Sequence, residues 1–169
     1  KLVLKSTILG SPGEITAEQV ECIGATSANT EVEGGHRATA SGILRFTGLT
    51  VVKPEGCTSE AVQTVSLTGS LKMDSENASK SYAEFKPASG TKFATVKLRG
   101  CAAEGNYNVN GVTYGEAANE TGVTAESQVL KFNEATNGFG TLTMGSEPAT
   151  IEGEASNTIA GVSWGAKEQ

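Results

Sequence analysis

Hydrophobic and polar residues alternate along most of this chain with a period of two. The clearest run covers 62–73, where Val65, Leu67, Gly69, Leu71 and Met73 fall on one face. That is the period of a half-buried strand and not of a helix. Ile15, Ala17 and Gln19 alternate against Thr16, Glu18 and Val20 in the same way. Runs of this kind, bounded by turn signals, predict strands over 2–9, 15–23, 43–52, 62–73, 82–86, 92–99, 107–114, 123–132, 139–144, 150–155 and 158–164. Gly10-Ser11-Pro12-Gly13 reads as the first turn, 25–35 as a polar loop, and Gly48 as a bulge within its strand. Lys53-Pro54-Glu55-Gly56 reads as a turn because proline fixes φ and glycine permits positive φ two residues later. The best place for a helical turn is 116–120, and no stretch sustains a capped 3.6-residue apolar period, which argues against an α/β fold. With no linker, charge block or internal repeat, 1–169 reads as one extracellular domain of roughly ten strands. The expected fold is all-β, an antiparallel β-sandwich or a related β-rich fold. Val65, Leu67, Leu71, Phe93, Val96, Leu98, Phe132 and Trp164 are its expected core.

Composition agrees with that pattern. The chain holds 20 Thr, 20 Ala, 15 Ser and 21 Gly, while aromatics supply only 5%. Threonine suits a pleated surface because its branched Cβ is stiff, and glycine supplies turns and bulges. The net charge of -6, with 13 Lys and Arg scattered singly, argues against a nucleic-acid partner. Asp74 is the only aspartate, so a dedicated calcium loop is not expected. No apolar run has the length of a membrane span. The strand-like opening at Lys1, without a signal peptide, is what a processed start would leave.

Candidate chemistry is sparse, and no catalytic, cofactor-binding or metal-ligating residue is assigned. His36 is the only histidine; it follows two glycines and has no nucleophile elbow nearby, so it reads as a loop imidazole. Cys22, Cys57 and Cys101 lack metal-like spacing. In an oxidising compartment they predict one disulfide with one cysteine left over, and any of the three pairings is open. Cys101 follows Arg99 and Gly100, and a nearby cation favours thiolate, but a structural role is the commoner fate of such a cysteine. Asn77-Ala78-Ser79 and Asn119-Glu120-Thr121 match the glycosylation acceptor pattern. Asn106, Asn108 and Asn110 should share one strand face, opposite Tyr107 and Val109.

Several phrases carry a resemblance. They are VLKSTILG and the VEC around Cys22, ILRFTGLTVVKPEGC ending at Cys57, FKPASGTKFATVKLRGCA through Cys101, EPATIEGEAS, and the SWGAK around Trp164. Together they resemble a group of secreted, β-rich actinobacterial proteins without an established function. The resemblance implies export and a β fold, and it carries over no active site. Members of that group have a cysteine where this chain has Leu49, placed to pair with the one matching Cys57. On that resemblance Cys57 lacks its partner here.

Two functions follow as expectations. The first is a non-catalytic extracellular structural or surface protein, a fibre or matrix subunit that assembles with copies of itself. Segment 1–10, with Leu2, Leu4 and Ile8, would serve as a terminal exchange strand, against the plainer reading that it pairs within its own domain. The alternative is a module for surface polysaccharide, with Tyr107, Tyr114 and Trp164 as a stacking platform.

Overall fold

The structure, a computed structural model, describes residues 1–32, 35–73, 80–118 and 126–158. Eight antiparallel strands close into a barrel. In ring order they are β1 (Leu2–Ile8), β2 (Ser11–Val32), β3 (Gly35–Lys53), β6 (Leu67–Met73), β7 (Ser81–Pro87), β10 (Thr113–Ala117), β11 (Ser127–Phe132) and β13 (Glu147–Thr158), which pairs back onto β1. Neighbours around the barrel are also neighbours in sequence, apart from three insertions, all at one end. They carry β4 (Thr58–Ser59) and β5 (Val62–Gln63), then β8 (Lys92–Arg99) and β9 (Gly105–Asn110), then the helix α1 (Glu134–Phe139) and β12 (Thr143–Met144). Strands β4, β8, β9 and β12 form a small sheet that joins the barrel through β13.

The fold is therefore all-β as expected, with a closed barrel in place of two stacked sheets. Closure removes the free edges that a sandwich leaves. The small sheet has an apolar and a polar face: Phe93, Val96, Leu98 and Val109 are buried, while Lys97, Asn106 and Asn108 face solvent. Its apolar face lies across one end of the barrel and forms a floor, with Phe93, Val96 and Val109 meeting Leu4, Ile15 and Leu49 of the wall around one small cavity.

Several local expectations are corrected. The first turn is Leu9-Gly10, with φ of 49° and 80°, the two-residue hairpin geometry that suits strand twist. Gly13 lies within β2 opposite Ser6, and a Cβ there would sit 2.5 Å from Cδ1 of Ile8, so this glycine serves close approach and not a turn. The polar stretch 25–35 continues the β2–β3 hairpin, paired from Thr26↔Ser41 to Val32↔Gly35. Hydroxyls take part in that ladder, as the 2.7 Å bond between Thr26 Oγ1 and Ser41 Oγ shows. The run 62–73 is interrupted: Thr64 leaves β5 to bridge Ala94, and pairing resumes at Leu67. The run 107–114 spans two strands of different sheets, β9 and β10, on either side of Gly111. Glu116 and Ala117 are strand residues opposite Lys131 and Leu130, so no helical turn begins there. The helix of the described chain is α1, capped reciprocally by Asn133 and Thr136. It takes Phe139 out of the strand expected over 139–144.

Of the expected core, Leu67, Phe93, Val96, Leu98 and Phe132 are buried, and Val65 and Leu71 pack partly buried against them. Trp164, both glycosylation patterns and most of the strand expected over 158–164 lie outside the described residues.

Candidate functional site

Inside the barrel, on the far side of the floor, is a cavity of about 350 Å³ to which all eight barrel strands contribute lining. Large apolar side chains such as Leu44, Phe46, Leu67, Phe85, Leu130 and Phe132 form much of its wall. The space exists because other inward positions are small: Ala25, Ala40, Gly42, Gly69 and Ala155 also line it. Alternation puts Ala40, Gly42, Gly69 and Ala155 inside, and Ala25 joins them at an irregularity of β2, but these side chains are too short to meet across the axis, so the lumen stays hollow. At Gly69 a Cβ would find only ordinary contacts, the nearest atom being Ala40 O at 3.7 Å.

Polar groups on the lining are few: Glu21, Cys22, Ser41, Thr113 and Ser156. An outer groove of about 540 Å³ shares Val20, Glu21, Ala155 and Ser156 with the lumen, so these residues of β2 and β13 border both spaces. Lys1 marks one boundary of that groove; its Nζ lies 2.7 Å from Glu18 Oε1 and its backbone α-nitrogen donates to Glu154 O at 3.0 Å.

A second cavity of about 60 Å³ lies toward the floor and is lined only by apolar side chains. Leu2, Phe46, Phe93 and Ile151 line both cavities and divide them.

The cysteines separate by role. Cys57 and Cys101 form a disulfide, which ties the β3–β4 connection to the end of β8. The pairing implied by the resemblance is thus replaced by a partner within this chain, and Cys101 is not a reactive thiol. Leu49 instead lines the small cavity. Cys22 is free and exposed and lines the lumen; partial burial pushes its thiol up from its ordinary value.

Of the expected stacking platform, Trp164 lies outside the described residues, and the two tyrosines lie on strands of different sheets, β9 and β10. Tyr107 belongs to the floor sheet, where its hydroxyl donates to Ala103 O at 2.8 Å. Tyr114 lies on the barrel wall beside Tyr82, and Phe139 of α1 packs edge-on against both, with centroids 6.1 and 5.3 Å away. Its hydroxyl donates to the buried carboxylate of Glu84. Burial, followed by Glu84, pushes the Tyr114 hydroxyl up to about 12. The Asn row lies where alternation placed it, but two members have local partners: Asn106 accepts from Arg99 at 2.9 Å and Asn108 from Thr95 at 3.0 Å. His36 lies in β3 opposite Glu31, within the hairpin and not in a loop; its side chain is outside what the structure describes.

Among the described residues no group of three His, Cys, Asp or Glu is placed to share a metal ion, and no helix is long and apolar enough to cross a membrane. No family model, curated protein or solved structure matches the chain.

The lumen was not legible as a site, since each of its residues reads singly as core or spacer. The available signal was the recurrence of Ala and Gly on the inward face at 40, 42 and 69, beside strands whose other inward positions are Leu and Phe.

Proposed function

We propose that this chain is a non-catalytic exported protein whose barrel lumen holds a small, mainly apolar molecule. The observation that carries this reading is the hollow interior of about 350 Å³, walled by Leu and Phe with few polar groups. Ligand pockets have that size and character, and eight-stranded barrels are wide enough to hold one small ligand. The Cys57–Cys101 bridge fits an oxidising compartment and so favours export.

Self-assembly by strand exchange has less support. Both edges of β1 are engaged, by β2 and by β13, with Leu2 opposite both Ala17 and Gly153. Exchange of Leu2, Leu4 and Ile8 would require the barrel to open. Polysaccharide binding is favoured by one observation, the 54% exposure of Phe139 above Tyr82 and Tyr114. One exposed ring offers much less stacking area than a row of rings.

The test is fluorescence titration with the uncharged probe N-phenyl-1-naphthylamine. The lumen reading predicts saturable binding by the native chain and, for Gly69→Leu, affinity weaker by about tenfold or more, because the new side chain occupies the cavity. A tenfold loss corresponds to about 1.4 kcal/mol, the loss of one or two buried methylenes. Equal binding by both proteins would sink the reading.

A further inference from the structure

Resting on the lumen reading, we infer that Phe93 sets the depth of the lumen: an alkyl chain that enters end-on stops at the Phe93 ring.

The local sequence puts this ring where it is. Strand β8 pairs with β9 as Lys92↔Asn110 and then Ala94↔Val109, so Phe93 is the extra residue of a bulge. A bulge re-aims a side chain relative to regular alternation. Phe93 and Ala94 are consequently both buried, although neighbours on a regular strand point to opposite faces. The backbone is fixed there, since Val65 N donates to Phe93 O at 3.0 Å.

The ring stands at a boundary. Of the four residues lining both cavities, Leu2, Phe46 and Ile151 come from β1, β3 and β13 of the barrel wall. Phe93 alone comes from the floor sheet, so it can be shortened without cutting into the wall. Beyond it lies about 60 Å³ of wholly apolar space, enough for the end of a chain and too little for a ring system with substituents. Removing the phenyl group joins this space to the lumen and adds the volume of the ring.

The experiment measures affinity of the native chain, Phe93→Ala and Phe93→Leu for a homologous series of n-alkyl alcohols. Alcohols are the suitable probes because Glu21, the charged residue on the lining, disfavours a carboxylate nearby. Each methylene that finds room should tighten binding about fourfold, and affinity should then level off at a limiting length. In Phe93→Ala that limit should move to chains longer by about two carbons or more, with a smaller move in Phe93→Leu. The leucine variant covers the case in which the alanine variant does not fold. A limit unchanged in whichever variants fold would overturn the role of Phe93 while leaving lumen binding intact. Absence of alcohol binding by the native chain would overturn the lumen reading itself.

Discussion

The two halves of the barrel obey the same alternation and differ in what the inward positions carry. Toward the floor they hold Leu4, Ile15, Leu49 and Ile151, met from beneath by Phe93, Val96 and Val109, and only about 60 Å³ is left unfilled. In the other half, inward positions fall repeatedly on Ala and Gly, and about 350 Å³ remains. Period-two patterning thus decides which side of a strand faces in, and side-chain volume decides whether the inside is a core or a container.

The largest expected effect sharpens that contrast. Leu98 is fully buried and Leu44 is partly buried on the lumen wall. Leu98→Ala should cost about 4 kcal/mol in urea denaturation, because packed neighbours are left around a new void. Leu44→Ala should cost about 2 kcal/mol, since fewer contacts are lost beside a space that already exists. Equal losses would mean that the floor sheet, to which Leu98 belongs, and the lumen wall are packed alike.

The disulfide comes next. It joins residues 44 apart at the floor end, and opening it should cost about 4 kcal/mol through the freedom returned to the unfolded chain. Denaturation with and without reductant measures this. Lumen binding under native conditions should survive reduction, because neither Cys57 nor Cys101 lines the larger cavity.

The smallest effect concerns the outer wall. Tyr114 is pushed up to about 12 from 10.0, so the folded chain holds that proton more tightly than the unfolded one. This contribution is fully present below pH 10 and is lost as pH rises through 12. Alkaline unfolding of Tyr114→Phe should show a shallower decline over that window. An identical decline would remove Tyr114 from the account.

Much of the wall and part of the floor were legible in the sequence. Strands near 2–9, 43–52, 82–86, 92–99 and 150–155 are read from alternation, and Gly56 holds the positive φ that its turn requires. Barrel closure was not legible, because it depends on β1 pairing with β13 across nearly the whole chain, which no local pattern encodes. The polar half of the β2–β3 hairpin was missed for a related reason. Its ladder is made by backbone groups and hydroxyls, so hydrophobic alternation is faint there. Helix α1 has six residues, too few for a 3.6-residue period to show. The lumen escaped because a cavity is a property of many small residues facing one another, and a sequence read strand by strand shows each of them only as a weak core position.

Cys22 offers the most direct test of the central claim, since it is a free thiol on the lumen lining. The rate of its alkylation by a small maleimide should fall by about tenfold or more when the lumen is saturated with N-phenyl-1-naphthylamine, in proportion to the bound fraction. An alkylation rate that stays constant while the probe binds to saturation would place the ligand elsewhere and contradict the account.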